Sequence, residues 1–125
     1  MRYETAFQPP APALDVVVRN PYASSGEYRC RAVLDTGAGI SVIPQEAMTA
    51  LNLVEAQKIF ARSWDGTSRE VVTCIVRMEF DKGIVPLVEA VVAHRSTALL
   101  GRDVLNLLRL LLDGPALTLE ILPST

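Results

Sequence analysis

The run Val33-Leu34-Asp35-Thr36-Gly37-Ala38-Gly39-Ile40-Ser41-Val42-Ile43 sets one carboxylate between two apolar stretches. Read alone, Asp35-Thr36-Gly37 is compatible with an ordinary turn, in which Asp accepts a local hydrogen bond and Gly supplies a positive φ. Its surroundings argue for more. A strand-like segment leads into it, and more than half a chain later comes Ala98-Leu99-Leu100-Gly101-Arg102-Asp103-Val104-Leu105, an apolar pair and a glycine ahead of a helix start. The chemistry open to an exposed carboxylate is acid–base chemistry. Hydrolysis by carboxylates needs one as general base to activate water and a second as general acid. Two carboxylates held close cannot both ionise, so they share a proton and titrate as a pair.

One chain offers only one such carboxylate. Asp65-Gly66 and Asp113-Gly114 are the other Asp-Gly pairs, and both read as hairpin turns. The second carboxylate therefore has to come from a second chain, and an isologous two-fold contact supplies it by setting Asp35 against Asp35. Other chemistries find little support. His94 follows a strand next to Arg95 and reads as a surface residue, with no Ser-His-Asp arrangement around it. One His and two separated Cys make no metal-ligand spacing, so no metal and no cofactor are expected. Cys30 and Cys74 sit in alternating strand-like segments and read as small buried hydrophobes.

Composition agrees with one domain that has an apolar surface to hide. The chain has 125 residues, half of them hydrophobic, and a net charge of −2. That length suits a single domain. The apolar share is high for a small monomer, whose surface demands polar cover. A membrane helix needs about 20 mostly apolar residues. Leu105 to Leu112, the longest candidate, is short and broken by Asn106 and Arg109. Arg2, Glu4 and the prolines that follow are unlike a secretory signal. The expectation is a cytoplasmic protein with no membrane partner. Basic residues are scattered, so no nucleic-acid partner is expected. An interface with a second copy is left as the home for the excess apolar surface.

The elements that must position Asp35 read as mostly β. Residues 1–13 carry Pro9, Pro10 and Pro12 and form an N-terminal arm; the domain proper spans 14–125. Leu14 to Arg19 is a Val-rich strand ending at Asn20-Pro21. Glu27 to Leu34 alternates, with Tyr28, Cys30, Ala32 and Leu34 on one face, and runs into Asp35. Pro44 opens a short helix to Leu51. Glu55 to Ser63 and Thr67 to Phe80 flank the Asp65-Gly66 turn as a hairpin. Ile84 to Ala93 is a strand that Pro86 demotes in part to an edge. Asp103 to Leu108 predicts a short helix, and Leu110 to Leu112 with Leu117 to Leu122 predict strands around Asp113-Gly114.

The two motifs and the hairpin between them resemble the retropepsin family, the retroviral-type aspartic proteases with bacterial and eukaryotic members, over roughly Leu14 to Leu122. The resemblance implies a single-domain acid-protease fold: a closed, barrel-like sheet with a flap hairpin and one or two short helices, working as a homodimer on polypeptide substrates. It makes Asp35 the catalytic aspartate and Thr36 the residue whose hydroxyl crosses the dimer axis. Gly37 would let the backbone pass close to the carboxylates. Ala38, Leu99, Leu100 and Gly101 would support the catalytic loop from behind. Trp64, Asp65, Gly66 and Thr67 would form the flap tip over the substrate. Two features depart from the retroviral pattern. Many members carry an acid four residues after the catalytic Asp, paired with the Arg that follows the second-motif Gly; here that position is Gly39, which leaves Arg102 without that partner. The flap carries a Trp and a single Gly where retroviral flaps are Gly-rich. A second reading is a peptide-binding or dimerisation module of the same fold, which would have no need of the Asp35 carboxylate.

Overall fold

The computed structural model describes residues 1–24, 26–63 and 65–123. Among these residues, nine strands and two short helices follow one another as β1 (Ala13–Arg19), β2 (Tyr28–Leu34), β3 (Val42–Pro44), α1 (Gln45–Ala50), β4 (Glu55–Arg62), β5 (Ser68–Phe80), β6 (Gly83–Ala93), β7 (Ala98–Leu100), α2 (Arg102–Leu105), β8 (Leu110–Asp113) and β9 (Thr118–Ile121). The fold is mostly β, as the sequence predicts. Strands run in the order β1-β2-β7-β3-β6-β5-β4, and a further pairing of β1 with β5 closes six of them into a barrel. Among the described residues β4 lies outside the barrel, paired to β5 alone.

Period-two alternation builds the core. In β1, Leu14, Val16 and Val18 are buried while Asp15 faces water. In β5, Cys74, Val76, Met78 and Phe80 do the same. They meet Ala32, Ile43, Val88, Ala90, Leu100 and Val104 in one cluster. Each buried Leu, Val or Met side chain contributes roughly 1.5–3 kcal/mol relative to exposure. Both cysteines are free. Burial pushes the Cys30 thiol up to about 11, opposed by a hydrogen bond from the Ala98 backbone, and burial also raises Cys74. Neither has thiolate character, in keeping with a packing role.

Several boundaries differ from those predicted, for local reasons. The second helix ends at Leu105 rather than Leu108, and the chain turns through Leu107 and Leu108 on bonds to Val104 and Leu105. Pro86 lies where β5 and β6 slip register, between Val76 and Met78, in the part of β6 that β3 does not reach. The Asp113-Gly114 turn is wider than a two-residue hairpin: Ala116 N–H donates to Asp113 Oδ1, and Leu117 takes the positive φ. At the N-terminus, Met1 and Tyr3 pack on the core and bond to Leu119 of β9 and to Leu117 just before it. No helix among the described residues is long and apolar enough to cross a membrane.

Candidate active site

The barrel's parallel pairs explain how two motifs so far apart in sequence become neighbours. β2 and β7 run side by side in the same direction, with Leu34 opposite Leu100. Asp35 and Gly101, the next residues of each strand, therefore leave the sheet together. The Asp35 N–H donates to Leu100 O at 2.9 Å, continuing the ladder by one bond past the strand. β3 joins the same end of the sheet, antiparallel to β7 through Val42 and Leu99 and parallel to β6. A platform of three strands thus sits under the loop of residues 35–41 (the loop that carries Asp35, Thr36, Gly37 and Ala38).

Within that loop Asp35 is half-buried, while Thr36 and Gly37 are exposed. Asp35 Oδ1 accepts the Gly37 N–H at 2.9 Å, and Asp35 O accepts the Ala38 N–H at 3.2 Å. A Cβ at Gly37 would stand 3.2 Å from that same Oδ1, so the absence of a side chain leaves the carboxylate room. Ala38 carries the connection to the second motif, its carbonyl accepting the Arg102 N–H at 2.8 Å. Leu100 and Gly101 are buried behind the loop and Leu99 is half-buried. A Cβ at Gly101 would lie 2.9 Å from Ala38 O and from the Ile40 carbonyl, so backbone touches backbone there.

Arg102 has a partner despite the missing acid. Its Nη1 donates to the Thr36 carbonyl at 2.7 Å. A Cβ at Gly39 would sit 3.5 Å from Nη2, so the guanidinium passes over the bare glycine to reach the loop's main chain. A charge-assisted bond to a carbonyl replaces the ion pair of the retroviral pattern.

Sequence reasoning did not find the second brace. Ser41 is fully buried. Its N–H donates to Asp103 Oδ2 at 3.0 Å and its hydroxyl to Asp103 Oδ1 at 2.7 Å, while its Oγ accepts the Gly101 N–H at 3.0 Å. Asp103 also accepts its following N–H, from Val104, at 2.9 Å. A serine inside the apolar run Ile40–Ile43 was the available signal, because a buried hydroxyl must find a partner. Its partner lies 62 residues away and could not be named from spacing.

The hairpin between β4 and β5 holds the predicted flap residues. The Ser63 N–H donates to Thr67 O at 2.8 Å and the Gly66 N–H to Ser63 O at 3.0 Å. Gly66 has φ 88°, as a three-residue hairpin loop requires. Asp65 Oδ1 accepts the Thr67 N–H at 3.0 Å and its hydroxyl at 2.7 Å, and those bonds hold the carboxyl below its ordinary range. Trp64, predicted at the tip, lies outside the described residues.

The model of the family described as "gag-polyprotein putative aspartyl protease" matches residues 23–107, which span both motifs. No curated protein matches the chain. Among solved structures, the chain is similar to the EIAV protease in complex with the inhibitor HBY-793, at 21% identity and TM-score 0.57, over 77% of this chain and 86% of that one. It is similar to a retropepsin-like aspartic protease from Rickettsia conorii at 14% identity and TM-score 0.60, over 90% and 82%. The Simian Foamy Virus (mac) protease is similar at 14% identity and TM-score 0.55, over 73% and 88%. The folds are shared; the match over most of the sequence, both motifs included, shows that the chain belongs to the gag-polyprotein aspartyl protease family.

Proposed function

We propose that this protein is an aspartic endopeptidase whose active site forms when two copies bring their Asp35 loops together on a two-fold axis. One observation carries the reading. Asp35 follows β2 directly and lies beside Gly101, which follows the parallel strand β7, on a loop braced from behind by Arg102 and by Ser41 with Asp103. Positioning of that kind is what a carboxylate pair needs, since reacting groups must be held in a fixed geometry. The other two Asp-Gly aspartates are engaged in their own turns, Asp65 with Thr67 and Asp113 with Ala116.

In the dimer one Asp35 takes a proton from water while the other, protonated, donates toward the carbonyl or the leaving amine. The water oxygen adds to the peptide carbon, and the C–N bond then breaks with the proton delivered to nitrogen. The β4–β5 hairpin, with Asp65, Gly66 and Thr67 at its end, would close over the polypeptide as the flap. The test is hydrolysis of a peptide library by the wild type and by Asp35→Asn, with a statine-type transition-state analogue as ligand. The wild type should cleave and bind the analogue. The variant, nearly isosteric, should lose cleavage by at least about 100-fold while melting like the wild type. Turnover retained in Asp35→Asn would place the chemistry elsewhere.

A further inference from the structure

Glu89 of β6 stands between the Asp35 loop and the β4–β5 hairpin. Its Oε2 accepts the hydroxyl of the fully buried Thr73 at 2.7 Å, and it accepts the side-chain N–H of Gln57 as well. Gln57 of β4 and Thr73 of β5 pair with one another near the foot of the hairpin, away from its Gly66 turn. Glu89 also lines a cavity of about 300 Å³ together with Gly39 and Ile40 of the Asp35 loop and with Leu87, Asp103 and Leu107. It is therefore bonded to the hairpin and shares a wall with the loop.

The two acids of this cavity differ in what they have left to offer. Asp103 is engaged at both oxygens, Oδ1 by the Ser41 hydroxyl and the Val104 N–H, Oδ2 by the Ser41 N–H. Both bonds to Glu89 fall on Oε2, and among the described residues Oε1 receives none. No Lys or Arg among the described residues lines the cavity, and Arg102, which passes over Gly39, is turned to the Thr36 carbonyl. The remaining walls are apolar.

We propose that this cavity takes a basic side chain of the substrate, Lys or Arg, with its stem against Ile40, Leu87 and Leu107 and its cationic head on Glu89 Oε1. The proposal rests on the protease reading above and gives that site its selectivity. Long basic side chains lay their methylenes on apolar surface while the charge keeps a polar partner. Leu87 and Glu89, two apart on β6, project from one face of the strand, so stem and head are met in line. A charge-assisted bond then favours a cation over a neutral residue of the same length. The place suits a substrate running between loop and hairpin. Gly39 lies four residues past Asp35, a span of at most about 14 Å. An extended peptide rises about 3.3 Å per residue, so the recognised residue stands within about four places of the cleaved bond. The bonds from Gln57 and Thr73 also hold the Glu89 carboxyl below the ordinary Glu range, which preserves its charge in the mild acid where a carboxylate dyad works.

The test starts from the cleavage profile of the wild type on a peptide library, which should show Lys and Arg enriched at one position within about four residues of the cleaved bond. Three peptides carrying Lys, Gln or Glu at that position are then compared by kcat/KM. The wild type should favour Lys over Gln. In Glu89→Gln that ratio should fall by roughly tenfold, the order expected when a bond between charged groups is lost. In Glu89→Lys the Glu peptide should become the best of the three. A merely structural role for Glu89 would lower all three rates together and leave their ranking unchanged. Should the reversed variant fail to fold, Glu89→Gln carries the comparison alone. The proposal is overturned by a wild type with no basic preference near the cleaved bond, or by a preference that survives Glu89→Gln. Selection of the same library by binding to Asp35→Asn, with and without Glu89→Gln, separates the two readings. A wild type that cleaves nothing, while Asp35→Asn retains basic peptides through Glu89, would sink the protease reading alone. Cleavage without a Glu89-dependent preference would sink the cavity's role alone. Neither cleavage nor Glu89-dependent retention would overturn both.

Discussion

At the scale of single residues, the loop that carries Asp35 is held by contacts too short to tolerate change. Gly101 has an extended backbone, so its restriction is one of space: an added methyl would meet Ala38 O and the Ile40 carbonyl at 2.9 Å. Gly101→Ala should cost roughly 1–3 kcal/mol in a denaturant melt, the usual range for overpacking a tight site. Asp103→Ala acts by the opposite route, leaving the buried Ser41 N–H and hydroxyl without their acceptor. The expected loss is again roughly 1–3 kcal/mol, and a variant as stable as the parent would deny the brace any structural weight. Asp35, Gly37 and Gly101 were legible in the sequence because they belong to short contiguous motifs. Ser41 with Asp103 was not, and neither was the reach of Arg102 to the Thr36 carbonyl. Each joins residues more than 60 apart through a topology that no local pattern encodes.

Elements were read best where local chemistry decides them. The Val-rich run of β1, the alternation in β2 and β5 and the Asp65-Gly66 hairpin were all visible, since residue type, period two and turn residues act over a few positions. Less was visible where the neighbours decide: β3 is three residues long because it only bridges β6 and β7, and the joining of β1 to β5 has no local signal at all. That seam carries a testable electrostatic feature. Glu79 on β5 accepts from Arg19 of β1 and from Arg77, each at 2.9 Å, and these bonds hold its carboxyl below the ordinary Glu range. A carboxyl depressed in the folded state contributes stability above its unfolded pKa, and that stability is lost as pH falls through the folded pKa. Glu79→Gln should therefore lower the melting temperature at neutral pH by a small margin, because the groups are partly solvated. The margin should vanish in acid, where the native carboxyl is itself protonated. Melting curves for both proteins across that range measure the difference directly; a constant gap at every pH would assign the effect to packing.

For the whole molecule the question is assembly. Thr36 lies exposed on the loop beside Asp35, with its carbonyl tied back to Arg102. If its hydroxyl donates across the two-fold axis of the proposed dimer, Thr36→Ala removes one bond from each side, each worth roughly 0.5–1.5 kcal/mol. The variant should need a higher protein concentration to reach full specific activity and should melt normally as a subunit. Activity that tracks the wild type under dilution would remove Thr36 from the interface. The fold is shared at 14–21% identity with the viral and bacterial structures, so most residues can differ while it persists. β8, which among the described residues pairs with β9 alone, carries a consequence for the isolated subunit as well. Leu110, Leu111 and Leu112 form a short apolar run of high sheet compatibility, and Arg109 and Asp113 stand at either end of it as charged gatekeepers against disordered aggregation. Reversing either charge keeps the run guarded. Neutralising both, as in Arg109→Ala with Asp113→Ala, would leave a dissociated chain with a bare adhesive edge, prone to disordered aggregation.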